Sequence, residues 1–197
     1  MIILELNLPK LSAELFALVQ DHVNNVYLDP SDKQWLDNFH GITNTVGHNF
    51  SFMPEIEEQV RLEYNNFFPN KEIHVITSVI KNLGRKPGCI PPHYDRGRLL
   101  AINYYISLGG DSVDTVFYNQ KRPVSEKENN IVYAELTEVD RYTFPTGWYA
   151  FNVCQTHSVE NIVGNRCFFA ITWKDSKYQV EDFIKDYPTL IKNKLRD

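Results

Sequence analysis

Glu72-Ile73-His74-Val75-Ile76-Thr77-Ser78-Val79-Ile80-Lys81 is the stretch on which the fold turns. Ile73, Val75, Thr77 and Val79 alternate with His74, Ile76, Ser78 and Ile80, the period-two pattern of a strand built from β-branched residues. Downstream the pattern repeats. Leu99 to Ser107 is a β-branched and aromatic run, and Gly109-Gly110 turns the chain. Val113 to Tyr118, Ile131 to Val139, Trp148 to Val153 and Arg166 to Trp173 complete the candidate strands. Asn119 to Asn130 is polar and charged and reads as an exposed loop.

Upstream the period changes. Leu11, Leu15, Leu18, Val19, Val23 and Val26 recur at helical spacing behind a cap at Ser12, and Pro30 ends the segment. Pro54 starts a second helix with Ile56, Val60, Tyr64 and Phe67 on one side, closed by Pro69-Asn70. Residues 178–195 return to helix, broken near Pro188. The expected organisation is one domain over 1–197: a helical N-terminal layer at 1–70, a β core at 71–175 and a C-terminal helical segment at 176–197. The class is mainly β with flanking helices (α+β), a helical layer on a β-sandwich or open barrel with room for a pocket between sheets.

Composition excludes several classes. Of 197 residues 43% are hydrophobic, enough for a proper core. No apolar run reaches membrane-spanning length, and Met1-Ile2-Ile3-Leu4-Glu5-Leu6 does not read as a signal peptide, so the expected location is the cytoplasm. A net charge of −5 disfavours a nucleic-acid partner. Lys81, Arg85, Lys86, Arg96 and Arg98 are a local exception; they would attract an acidic substrate or simply solvate a loop. Cys89, Cys154 and Cys167 are three in number and irregularly spaced, which fits small core residues in a reducing compartment.

The chemistry is carried by Pro91-Pro92-His93-Tyr94-Asp95. Side chains two apart in an extended segment share a face, so His93 and Asp95 offer an imidazole and a carboxylate to one metal while Tyr94 points away. The two prolines stiffen the approach. His157, in Gln155-Thr156-His157-Ser158-Val159, follows the Trp148 to Val153 strand and supplies a third ligand. Two histidines and a carboxylate on one face of an ion leave positions open, the arrangement of non-haem iron(II) oxygenases. The other four histidines lack this context: His22 is in a helix, His40 and His48 are in a loop, and His74 has no acid two residues on.

The surroundings of these ligands resemble the prolyl-hydroxylase-like branch of the Fe(II)/2-oxoglutarate-dependent dioxygenases. The likeness rests on Pro92-His93-Tyr94-Asp95 through Gly97-Arg98-Leu99-Leu100-Ala101-Ile102-Asn103-Tyr104-Tyr105-Ile106-Ser107. It rests also on Phe144-Pro145-Thr146-Gly147-Trp148-Tyr149-Ala150-Phe151, on His157-Ser158-Val159-Glu160-Asn161-Ile162, and on Arg166, nine residues after His157. It covers roughly residues 72 to 173. One departure is plain: Val79 to Asn82 stand where many relatives carry a tyrosine.

The resemblance implies a double-stranded β-helix, or jelly roll, with metal at one open end. It implies Fe(II) and 2-oxoglutarate as cofactors, ascorbate as a reductant, dioxygen as co-substrate, and hydroxylation of an amino-acid side chain, a peptide or a small molecule. Arg166 would take the distal carboxylate of 2-oxoglutarate, with Arg98 its rival; a guanidinium offers that group a planar fork. Tyr105 would donate a second hydrogen bond, and Asn103, two residues earlier, would reach the end nearer the iron. Val163-Gly164-Asn165 reads as a tight hairpin, which would carry Arg166 away from His157, so a bulge or wider loop is expected over Asn161 to Asn165. Two other classes stay open from sequence: a cupin-like metal-dependent isomerase or other dioxygenase that does not use 2-oxoglutarate, and a non-catalytic binding module on the same fold.

Overall fold

The computed structural model describes residues 2–25, 35–39, 42–50, 54–82, 86–95, 98–121, 135–173 and 177–196, the second and third of these by backbone alone. Among the described residues eight strands in succession form the framework: β4 (His74–Asn82), β5 (Gly88–His93), β6 (Leu100–Leu108), β7 (Asp114–Lys121), β8 (Glu138–Tyr142), β9 (Gly147–Asn152), β10 (Gln155–Ile162) and β11 (Asn165–Thr172). β9, β6, β11 and β4 lie side by side in a large sheet, and β5, β10, β7 and β8 in a small one. The chain therefore crosses between sheets as it winds, and every pair within them is antiparallel. That path is a double-stranded β-helix, as expected.

Four more strands widen the large sheet. β1 (Ile3–Leu6) pairs with β9, and β12 (Ile191–Arg196) pairs with β1 at one edge. β3 (Ile42–Phe50) pairs with β4, and β2 (Trp35–Phe39) with β3 at the other. These strands correct the sequence reading. The described part of residues 1–70 holds three strands besides α1 (Ala13–Asn25) and α2 (Pro54–Tyr64). Ile3-Leu4-Glu5-Leu6 shows no clean alternation because both faces are covered: Leu4 and Leu6 pack toward the helices, Ile3 between the sheets.

The C-terminal segment is likewise only part helical. α3 (Val180–Asp186) is followed by a 3-10 turn at Pro188–Leu190 and then by β12. Ile191-Lys192-Asn193-Lys194-Leu195-Arg196 has good helix formers, but the open edge of β1 offers backbone pairing, and Glu5 takes Lys192 Nζ at 2.6 Å and Asn193 Nδ2 at 2.7 Å. Lysines on an edge strand also discourage further pairing. The expected strand at Ile131 to Val139 is found as Glu138–Tyr142, and residues 131–134 lie outside the described ones. β7 runs on to Lys121, into the expected loop, whose 122–130 portion also lies outside them.

The helical expectations hold where they rest on caps and turns. Ser12 Oγ accepts the Leu15 amide at 3.2 Å, Pro54 opens α2, and Asn70 adopts φ 72° at the turn that ends it. Leu15, Val19 and Val23 of α1, Ile56, Val60 and Tyr64 of α2, and Val180 and Phe183 of α3 pack on one face of the large sheet. Tyr64 Oη and Trp148 Nε1 both donate to the Pro9 carbonyl, at 2.7 and 2.9 Å, and tie the N-terminal segment to that layer.

Alternation then assigns the second face. Leu100, Ile102, Tyr104 and Ile106 meet the helices; Ala101 and Tyr105 meet the small sheet with Phe117, Phe144, Tyr149 and Phe151. Cys167 and Phe169 are on the helix side of β11, leaving Arg166 and Phe168 on the inner one. Among the described residues no helix is long and apolar enough to cross a membrane.

Phe169 is fully buried in the helix-facing core on a central strand. Phe169→Ala is expected to lower the unfolding free energy by roughly 3–5 kcal/mol, read as a reduced urea midpoint. Burial pushes the Cys167 thiol up to about 12, so it should resist iodoacetamide in the folded chain and react on unfolding.

Candidate metal centre

His93 ends β5, and the antiparallel register of β10 puts His157 directly across from it. Their rings are 4.4 Å apart, centroid to centroid. Each Nδ1 lies 2.8 Å from a carbonyl two residues back in its own chain, Pro91 O for His93 and Gln155 O for His157. A carbonyl can only accept, so each Nδ1 carries a proton and each ring presents Nε2 on its other side.

Both Nε2 atoms face Asp95. Oδ1 is 3.8 Å from His93 Nε2 and 3.9 Å from His157 Nε2. Asp95 lies two residues past the end of β5, and its amide donates to Val153 O at 3.1 Å, which pins it to the end of β9. Donor atoms of the three residues all fall within 4.8 Å of one another, and no other such group occurs among the described residues. Ligand bonds of about 2.0–2.2 Å at right angles require donors about 3 Å apart, so the donors must draw together by up to about 2 Å to close around an ion. The donor types fit a borderline transition metal better than a hard cation, which prefers oxygen alone.

Arg98 holds the far side of the carboxylate. Its Nη2 and Nε donate to Asp95 Oδ2 at 2.7 and 3.0 Å. Burial alone would push the Asp95 carboxyl up; the Arg98 charge, then the two imidazoles, outweigh it and hold the group down at about 2. Burial pushes His157 down to about 4, with His93 adding to the effect and Asp95 opposing it.

Arg166 lies on the inner face of β11. It is 2% exposed, its guanidinium stands 4.7 Å over the Tyr105 ring, and Nη1 donates to Leu108 O at 3.3 Å. Its Nε has no partner among the described residues. Asn103 Nδ2 donates to Tyr105 Oη at 3.4 Å, while Asn103 Oδ1 is buried and also unpartnered there. The three residues thus form a buried polar line with donor and acceptor capacity left over. A carboxylate is the group that best completes an incompletely partnered buried guanidinium.

The turn before Arg166 corrects the sequence reading. β10 and β11 do not form a hairpin; they belong to different sheets. Register shifts along β10 and a positive φ at Asn161 (62°) bend the chain, so a bulge is present as expected. Val163 and Gly164 amides donate to Gly109 O at 2.9 and 2.8 Å, docking this turn on the one after β6. At Gly110, φ is 148° and a Cβ would come within 2.6 Å of Val163, so glycine is required there.

The remaining candidates are dispersed. Arg98 donates to Asp95 through Nη2 and Nε, and its Nη1, like Arg166 Nε, is buried without a hydrogen-bond partner among the described residues. Lys86 is exposed, Lys81 is half-buried, and Arg85 and Arg96 lie outside the described residues. His22 and His74 are exposed; His74 Nε2 is 4.0 Å from Glu72 two residues before it. His40 lies outside the described residues, and only the backbone of His48 is described.

Among solved structures, the chain is similar to the non-heme alpha ketoglutarate dependent epimerase SnoN from nogalamycin biosynthesis. Identity is 13% over 95% of this chain and 85% of that one, with a TM-score of 0.51. An oxidoreductase of the 2OG-Fe(II) oxygenase family from Burkholderia pseudomallei aligns at 12% identity over 84% and 80% of the two chains (TM-score 0.47). A Pseudomonas putida prolyl-4-hydroxylase aligns at 12% over 83% and 88% (TM-score 0.44). The likeness to SnoN shows a shared fold. No protein-family model and no curated protein matches the chain in sequence.

Acid should destabilise the metal-free protein in a defined window. His157 is kept neutral by the fold, so the unfolded chain takes up the proton first as pH falls below 6.5; that contribution is complete above 6.5 and lost toward pH 4. Asp95 adds a further loss between pH 3.8 and about 2. The urea midpoint should therefore drop from pH 6.5 to 4, and His157→Asn should flatten that drop. A decline of the same steepness in the variant would contradict the burial of this imidazole.

Proposed function

We propose that the chain is a non-haem iron(II), 2-oxoglutarate-dependent dioxygenase that hydroxylates an amino-acid side chain, a peptide or a small molecule. The reading rests on one observation above all: donor atoms of two imidazoles and one carboxylate converge on one point, and the same jelly roll buries an incompletely partnered guanidinium, that of Arg166. The shared fold with a protein named as alpha ketoglutarate dependent supports it.

In this reading His93, Asp95 and His157 hold the iron, and half its coordination positions stay open. Bound iron with 2-oxoglutarate supplies the oxidising chemistry: dioxygen is consumed and the 2-oxo acid leaves as succinate and carbon dioxide. The chain does the rest. Arg166 takes the distal carboxylate as a charge-assisted pair, and Tyr105 adds its phenol to the same group. Asn103 offers its unpartnered Oδ1 farther along the line. Phe117, Phe144 and Phe151 keep water from the interior; Phe117 stands 6.0 Å from the His157 ring and Phe151 stacks at 5.1 Å on Phe144. Dryness strengthens each of these polar contacts.

Under anaerobic conditions wild-type protein with iron(II) and 2-oxoglutarate should develop a weak visible charge-transfer band. His157→Ala should abolish it, and a chelator should remove it. Arg166→Ala should need more 2-oxoglutarate, by roughly 10- to 150-fold, the equivalent of about 1.5–3 kcal/mol for a hydrogen bond to a charged group. With dioxygen admitted, succinate should accumulate. No band and no succinate from wild type would remove the proposal. Succinate formed with a substrate whose mass does not change would redirect it to a different oxidation on the same site.

A further inference from the structure

We infer that Arg98 is a positioning residue that keeps Asp95 a one-oxygen ligand; the inference rests on the metal-binding reading above. A carboxylate that binds through one oxygen leaves three of six positions open around the proposed ion. If its second oxygen swings in, one of those is lost. A chelating 2-oxo acid needs two positions and dioxygen one, so the spare oxygen must be held elsewhere.

The geometry separates the two oxygens in that way. Oδ1 is the atom turned to both imidazoles, at 3.8 and 3.9 Å. Oδ2 receives Arg98 Nη2 and Nε, at 2.7 and 3.0 Å, and is not the oxygen nearest either imidazole. Two charge-assisted hydrogen bonds from one guanidinium converge on that single oxygen and hold it in place. The arginine is itself constrained. It follows Asp95 by three residues, and Leu99 O, immediately after it, accepts the Val153 amide at 2.8 Å while Val153 O accepts the Asp95 amide at 3.1 Å. Its side chain borders a narrow cleft with Leu100, Trp173 and Tyr178. The same end of β9 therefore ties down both the ligand and the residue that orients it. His93 and His157 have an equivalent support in the carbonyls behind their Nδ1 atoms, so each ligand has its own orienting contact.

The test titrates cobalt(II), then 2-oxoglutarate, into metal-free wild type, Arg98→Ala and Arg98→Lys, with visible absorption as readout and near-ultraviolet circular dichroism to establish folding. Wild type should bind cobalt(II) and change its spectrum on adding 2-oxoglutarate. Arg98→Ala should bind cobalt(II) about 10- to 100-fold more weakly, the usual cost of losing an orienting partner, and its spectrum should respond little to 2-oxoglutarate. Arg98→Lys, which keeps the charge and one donor, should fall between. If Arg98→Ala does not fold, Arg98→Lys alone decides. Folded variants with wild-type affinity and the wild-type spectral response overturn the inference and leave the proposed function standing. Failure of wild type to bind cobalt(II) overturns the metal centre, and this inference with it.

Discussion

His157 faces His93 because β10 runs antiparallel to β5 in one register, and the site depends on that pairing. A slip of one residue would turn the imidazole to the opposite face of the small sheet. The register is held by what surrounds it. Val159, Ile90 and Ile162 pack together between the sheets, and β10 is also bound along its other side by β7. On the outer side Ser158 contacts Tyr118 Oη at 3.1 Å and Glu160 at 3.1 Å, so these two polar members of β10 have partners of their own. Apolar and polar residues along one strand thus agree on a single alignment.

Burying charge between two sheets is costly, and each charged group here is offset differently. Asp95 sits beside a guanidinium and two imidazoles, which is enough to hold its carboxyl at about 2 despite burial. Arg166 is the opposite case. It has a ring beneath it and a backbone carbonyl, yet its Nε is without a partner among the described residues. A structural arginine could satisfy its donors at the surface, as Arg141 does with Asp114, Glu138 and Glu160. Placing one in the interior with spare donors costs stability, and such a cost is commonly found where a ligand completes the set.

The crossing between sheets explains how Arg166 comes to share the interior with residues from distant strands. A hairpin after β10 would have kept it in the small sheet. Instead the turn at Val163-Gly164 docks on Gly109, β11 enters between β4 and β6, and Arg166 stands across from Leu108 and Ile80. Its neighbour Tyr105 belongs to β6, which places a residue of each strand in the same buried line.

Much of this was legible locally. Alternation in β4 and the β-branched run of β6 marked the core strands, Ser12 and Pro54 marked the helix starts, and the spacing of His93 and Asp95 marked two candidate donors that the structure brings together with His157. What local pattern could not supply was pairing. Ile3-Leu4-Glu5-Leu6 and Ile191 to Arg196 became strands by completing an edge of the large sheet, an event that involves residues some 190 positions apart. Val163-Gly164-Asn165 has the composition of a hairpin, and only the competition between β4, β5, β6 and β7 for partners decided otherwise. The sequence determined which side chains could serve as donors and which face of its strand each would take. The tertiary structure decided which strands met, because backbone pairing is indifferent to residue identity and is settled by the packing of both sheets at once.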